Sequence, residues 1–197
     1  ALSGPLKPSI AFNDHTSMAV LHPQTPMQHR PFDHDPAFPV TDLTSSDFAT
    51  RIGERGKRSG LSQAAFVELI QSVWQRRPDV PAAMAKVAEM GRAASAPMLS
   101  HDDSQPETRQ FYRDLGARIS EFPMNLRAAQ AARDGGDWII FGAPNAARGG
   151  SHLGSPGAGD MLARGLCDIL ASDYFYPAML TAVARLQREG HALEIGR

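Results

Sequence analysis

The sequence predicts an α/β fold built on parallel strands, and three observations carry that prediction. Five short apolar segments recur along the 197 residues, each ends in a polar cluster, and helical patterning follows most of them. Strand, polar rim and helix in that order make the βα unit, whose repetition gives a parallel barrel or an open α/β sheet.

The first strand-like segment runs from Pro8 to Asp14. After it, His22 to Pro39 holds Pro23, Pro26, Pro31, Pro36 and Pro39 and shows neither helical nor strand periodicity, so residues 22–60 are expected to form a long loop or lid. His22, His29 and His34 lie between those prolines, and ligands separated by prolines on a mobile segment make a poor preorganised metal site. Lys57 and Arg58, flanked by Gly56 and Gly60, read as a solvated basic turn or as charge supplied by the lid. A helix is expected from Ser62 to Arg77, with Ser62 as N-cap and Pro78 as the stop. The next runs from Asp79 to Met90, with Asp79 capping, Pro81 in the first turn and Gly91 as the C-terminal break.

From there the alternation is regular. Pro97 to Ser100 is a strand and Glu107 to Leu115 a helix; Arg118 to Phe122 is a strand, and Leu126 to Arg133 a helix ending before Gly135. Trp138 to Gly142 is a strand that opens into a glycine-rich loop from Gly142 to His152, followed by a helix from Gly157 to Arg164 before Gly165. Asp168 to Ser172 is the last strand, and Ala178 to Glu189 the last helix, ending before Gly190.

Composition excludes several function classes. A hydrophobic content of 42% with 21% charged residues is that of a globular domain, and a formal net charge of -1 argues against a dedicated nucleic-acid binder. There is no apolar run long enough to span a membrane and no secretory pattern, so no membrane partner is expected and the cytoplasm is the expected location. Cys167, among Leu166, Ile169 and Leu170, reads as a buried thiol in a reducing compartment.

In parallel α/β folds functional groups collect at the C-terminal ends of strands. Those ends carry Asn13-Asp14-His15, Ser100-His101-Asp102-Asp103, Glu121 and Ser172-Asp173-Tyr174. Imidazoles and carboxylates converging from separate strands match the nitrogen and oxygen ligands, at about 2.0–2.2 Å, that a divalent metal requires. Asp173 stands where a general base is expected, or where an N-cap for the following helix would be. The fourth strand end carries Asn145, Arg148, Gly149, Gly150, Ser151 and His152. Glycine backbone, a planar guanidinium fork and a titratable ring suit phosphate or phosphonate oxygens; the other reading is a surface loop with an incidental arginine.

These stretches, with Leu99, Phe122-Pro123, Gly142-Ala143-Pro144, Asp168 to Ala171 and Pro177, resemble in order and spacing the amidohydrolase-superfamily diphosphatases of bacterial phosphonate breakdown. The resemblance implies a (β/α)8 TIM barrel, with residues 1–197 a single domain forming its C-terminal portion and about five of eight βα units present. If Asp173 ends the eighth strand, the first three strands are missing, and with them the metal-binding His-x-His or His-x-Asp pair of the first. It further implies His15, His101 and Glu121 as ligands of one or two divalent ions such as zinc or manganese, with Asp173 as ligand and water-activating base. The implied reaction, in the carbon-phosphorus lyase pathway, cleaves alpha-D-ribose 1-methylphosphonate 5-triphosphate, a phosphorylated ribosyl phosphonate, to the 5-phosphate and pyrophosphate. Asn145 and Arg148 to His152 would then hold phosphate, and a homo-oligomer is expected. Two other readings stand beside this one: another amidohydrolase acting as deacetylase, deaminase or cyclic amidase, and a non-catalytic barrel fragment that self-associates.

Overall fold

All five expected strands form, and they form one sheet. The computed structural model describes residues 9–13, 56–149, 156–172 and 174–191. Strands β1 (Ile10–Phe12), β2 (Met98–His101), β3 (Ile119–Glu121), β4 (Trp138–Gly142) and β5 (Ile169–Ala171) lie in the order β1-β2-β3-β4-β5, every neighbouring pair parallel. Each strand sits beside its predecessor in sequence. A doubly wound sheet reverses its order at a switch point, whereas the arc of a barrel does not.

The chain divides into two compact units, Asp14–Val87 and Ala1–Asn13 with Ala88–Arg197. In the first, helix α1 (Gln63–Gln75) begins as the sequence indicates, with Ser62 Oγ accepting from the Ala65 N–H at 3.2 Å. Pro78 ends it in a 3₁₀ turn, Arg77–Asp79. Lys57 and Arg58 are exposed but stand in a helical stretch, residues 56–59, where the sequence predicts a loop, and the rest of the expected lid, residues 22–55, lies outside the described residues.

Helix α2 (Val80–Ala93) runs through the expected break at Gly91. A Cβ at Gly91 would stand 2.9 Å from both Ile10 Cδ1 and Met98 Sδ, so this glycine lets the helix approach β1 and β2 closely. The break falls instead at Ser95, whose φ of 50° is left-handed. In the second unit, α3 (Pro106–Asp114) opens on proline, and α4 (Leu126–Asp134) is capped by Asn125, whose side chain accepts from the Ala128 N–H at 2.9 Å. Ala128, Ala129 and Ala132 are buried on one face of α4, and small side chains there allow close packing. Helices α5 (Ala143–Arg148), α6 (Ala158–Ala163) and α7 (Ala178–Arg188) complete the described elements.

Ile139 and Phe141 from β4 pack with Met161, Leu166, Ala182 and Leu186 in a continuous buried cluster. Each large side chain removed from water there contributes about 1.5–3 kcal/mol. Phe12 and Tyr112 stack with centroids 5.8 Å apart, extending the apolar packing to β1. Among the described residues no helix is long and apolar enough to cross a membrane.

Cys167 is buried, and that burial with the neighbouring Asp168 charge pushes its thiol up to about 12. At pH 8 such a thiol is ionised to about one part in 10,000, so alkylation of the folded protein is expected to run about a thousandfold slower than that of the unfolded chain. Comparable iodoacetamide rates with and without denaturant would refute this placement of Cys167.

One buried polar cluster has no counterpart in the pattern reading. Arg109 on α3 is fully buried, donates to Ser100 Oγ and to the Ala117 and Ile119 carbonyls, and lies 3.3 Å from Asp103 Oδ2. Asp103 Oδ2 also accepts from Ser100 Oγ at 2.5 Å and from Ser120 Oγ at 3.0 Å. On its other side Arg109 Nε is 3.1 Å from Asp137 Oδ2, close enough for an ion pair but off the hydrogen-bond direction. Arg113 donates to the same oxygen at 2.7 and 3.0 Å, while Asp137 Oδ1 is buried without a hydrogen-bond partner among the described residues.

Candidate functional site

Two strand ends bring their polar residues together. His101 closes β2, Glu121 closes β3, and the two are register partners, with Nε2 and Oε2 4.0 Å apart. The residue after each strand has a left-handed backbone, φ 61° at Asp102 and φ 54° at Phe122. Aspartate tolerates that region; phenylalanine rarely does, and the strain is of order 1–2 kcal/mol. The backbone is held there by Asp102 N–H donating to the Glu121 carbonyl at 3.0 Å and Phe122 N–H to the Ile140 carbonyl at 2.9 Å. Strain of this kind concentrates where a side chain must be aimed.

Here both turns aim at His101. Asp102 Oδ2 lies 3.1 Å from Nδ1, and the Phe122 ring stands edge-on, with centroids 5.2 Å apart. Asn13, at the end of β1, brings its side-chain amide within 3.2 Å of the same Nδ1. Asn13 Oδ1 is buried without a hydrogen-bond partner, so rotating the amide by 180° would give that oxygen the Nδ1 proton to accept. With the proton on Nδ1, shared between Asp102 and Asn13, the Nε2 lone pair faces Glu121. This is the arrangement by which an outer carboxylate fixes the tautomer of a ligating histidine.

The His101 and Glu121 pair fits a divalent cation. Two donors about 2.1 Å from a tetrahedral ion stand about 3.4 Å apart, so the 4.0 Å separation needs only a small closure. Among the described residues no third histidine, cysteine or carboxylate completes a cluster. His15 and Asp173, the other expected ligands, lie outside the described residues, two positions beyond Asn13 and one beyond Ser172.

The segment after β4 differs from its expectation. Residues Ala143–Arg148 are helix α5, where the sequence reading placed a glycine-rich loop. The reasons are local: Pro144 preorganises the first turn, Ala146 and Ala147 favour the helix, and Gly149, with φ 90°, closes it in the left-handed region. Gly149 N–H donates to the Asn145 and Ala146 carbonyls at 3.0 and 3.2 Å, so it serves the helix end. Asn145 and Arg148 share a face, with Arg148 NH2 donating to Asn145 Oδ1 at 2.8 Å and to the Tyr174 hydroxyl at 3.1 Å. Arg148 is therefore a held cation. Gly150, Ser151 and His152 lie outside the described residues.

Asp102, Asn13 and Phe122 were not assigned roles from sequence alone. All three sit within the strand-end motifs, but their work depends on backbone turns that periodicity does not reveal.

Comparison with known proteins gives one informative result. Over 100 residues, 51% of this chain, the sequence is 40% identical to the alpha-D-ribose 1-methylphosphonate 5-triphosphate diphosphatase of Escherichia coli (strain K12). The matched stretch covers 26% of that protein, so the chain spans about a quarter of the length of the curated relative. No family model matches, and no solved structure does.

Proposed function

We propose that the protein is a metal-dependent hydrolase of phosphonate catabolism that cleaves a ribosyl phosphonate 5-triphosphate to the 5-phosphate and pyrophosphate. The observation that carries this reading is the 40% identity to a diphosphatase over 100 residues. The sequential parallel sheet supports an arc of a (β/α)8 barrel of the amidohydrolase type, and the pairing of His101 with Glu121 supports the chemistry.

In this reading His101 and Glu121, with His15 and Asp173, would hold one or two divalent ions. Such an ion supplies Lewis acidity and lowers the pKa of water. The chain's own groups do the rest. Asp102 keeps the His101 proton on Nδ1 and so keeps Nε2 available. Asp173 takes the proton of the attacking water as its oxygen bonds to the α-phosphorus; the bond to the bridging oxygen breaks, and pyrophosphate leaves with the electron pair. Arg148, fixed by Asn145 and Tyr174, neutralises phosphate charge as it shifts to the leaving group. Tyr174, Phe175, Tyr176 and Leu180 are exposed, and these apolar side chains support the expectation of a homo-oligomer.

The test is pyrophosphate release by the full-length protein with the triphosphate and a divalent ion. Asp173→Asn is expected to lower kcat about a hundred- to ten-thousandfold, and Arg148→Ala to raise KM for the triphosphate. An unchanged rate in Asp173→Asn removes the base from its role. Preferential turnover of an amide or amine substrate would move the protein to the carbon-centred amidohydrolases.

A further inference from the structure

Two serines on adjacent strands share one buried carboxylate. Ser100 on β2 and Ser120 on β3 are register partners, both fully buried, and each donates through Oγ to Asp103 Oδ2, at 2.5 and 3.0 Å. Arg109 approaches the same oxygen from α3 at 3.3 Å. We propose that Asp103 is a positioning residue, which clamps the left-handed turn at Asp102 and thereby fixes the orientation and tautomer of His101. This inference rests on the metal-site reading of His101 and Glu121 above and names what holds that site in shape.

The clamp closes on both sides of Asp102. Before its α-carbon, the Asp102 N–H donates to the Glu121 carbonyl at 3.0 Å; after it, the Asp103 carbonyl accepts from the Met124 N–H at 2.9 Å. The following residue is tied to the same neighbour, since the Ser104 carbonyl accepts from Asn125 Nδ2 at 2.8 Å. These bonds tether the turn to the segment that leaves β3. The side chain of Asp103 then sets which way the turn faces: it is drawn in among Ser100, Ser120 and Arg109, while Asp102 is left to meet His101, with Oδ2 3.1 Å from Nδ1.

As a stabiliser this cluster is a poor choice. Asp103 Oδ1 and Thr108 Oγ1 are buried without a hydrogen-bond partner among the described residues, and apolar side chains of similar volume would avoid desolvating a carboxylate and a guanidinium. What a multiply bonded carboxylate contributes, and an apolar group does not, is direction. Direction matters at the next residue, because Asp102 stands at φ 61°, a region that an unanchored aspartate seldom occupies. Arg109 carries the same restraint to the start of β3, donating to the Ala117 and Ile119 carbonyls. The register of β2 against β3, which pairs His101 with Glu121, and the turn above it are thus held by one group of residues.

The protonation site of the His101 ring in the metal-free, full-length protein tests the clamp. It is read from the imidazole nitrogen shifts of histidine-labelled protein at about pH 8.5, above the ordinary imidazole range, with the resonances assigned by their loss in His101→Ala. The wild type is expected to show a single tautomer, with the proton on Nδ1. Asp103→Ala is expected to mix the two tautomers and to weaken zinc binding in equilibrium dialysis about tenfold or more. Asp103→Asn, which keeps an oxygen for Ser100 and Ser120, should restore most of both. Arg113→Gln serves as the control: it takes a hydrogen-bonded cation from Asp137, lowers stability and leaves the His101 tautomer unchanged. A wild-type ring protonated on Nε2, or an Asp103→Ala protein that keeps the wild-type tautomer, overturns the proposal. So does an Arg113→Gln protein whose tautomer shifts as far as that of Asp103→Ala, since lost stability alone then accounts for the change. If Asp103→Ala does not fold by circular dichroism, Ser120→Ala decides: partial mixing upholds the clamp and a single tautomer overturns it. A tautomer that follows Asp103 in a protein unable to hydrolyse the triphosphate upholds the clamp while refuting the diphosphatase reading. Hydrolysis by the wild type, with a tautomer indifferent to Asp103→Ala, does the reverse.

Discussion

Replacing Arg109 with methionine is expected to destabilise the protein by about 3–5 kcal/mol, because it strands the buried Asp103 carboxylate and takes a second cation from Asp137, which keeps Arg113. Asp103 and Asp137 are both fully buried, and Arg109 lies 3.3 Å from one and 3.1 Å from the other. Burial pushes the Asp103 carboxyl above its ordinary range, opposed by the Arg109 charge and by hydrogen bonds from Ser100 and Ser120. Removing Arg109 takes away the largest opposing effect, so the folded-state pKa of Asp103 rises further above its unfolded value. A carboxyl raised in this way contributes stability below its unfolded pKa and loses it as pH climbs through the folded one. The loss caused by Arg109→Met should therefore be larger at pH 8 than at pH 5 in urea unfolding. Arg109→Met combined with Asp103→Asn is expected to recover part of it, since the amide carries no charge to strand. A single variant within about 1 kcal/mol of wild type at pH 8 would show that solvent reaches Asp103 and Asp137.

That cluster also shows where sequence pattern stops being informative. Strands β2 and β4 were legible because a parallel strand covered on both faces reads as an apolar run, as Met98-Leu99 and Ile139-Ile140-Phe141 do. A helix start was legible where a cap marked it, as at Ser62; the Asn125 cap and the proline at Pro106 emerge only from the structure. Arg109 sits in the polar stretch Pro106 to Asp114, where composition assigns an arginine to solvent; only the fold brings Asp103 and Asp137 to it. Gly91 shows the converse error, since a glycine near a helix end reads as a terminator although tight packing on Ile10 and Met98 is what demands it. In the site, residue types at strand ends were legible and side-chain direction was not. The left-handed backbones at Asp102 and Phe122, which turn a carboxylate and a ring onto His101, cost energy locally and so run against local propensity.

Replacing His101 with alanine is expected to abolish divalent-metal binding at the strand edge and to lower kcat/KM for the triphosphate about a thousandfold or more, with little change in unfolding free energy. The two effects separate because of where His101 stands. Its side chain is 28% exposed at the end of β2, so few buried contacts are lost, while Nε2 is the atom set 4.0 Å from Glu121. Asp102→Asn should fall between wild type and His101→Ala. An amide can present either its oxygen or its nitrogen to Nδ1, so the Nε2 lone pair is no longer enforced, and loss of such an outer carboxylate typically costs about 10- to 100-fold in metal affinity. Equilibrium dialysis against zinc or manganese measures the affinity, and pyrophosphate release measures turnover. The order of the variants is the discriminating result: if Asp102→Asn bound metal as tightly as wild type while His101→Ala did not, His101 would be held by Asn13 and its ring packing alone. The strained turn at Asp102 would then have no part in setting the tautomer.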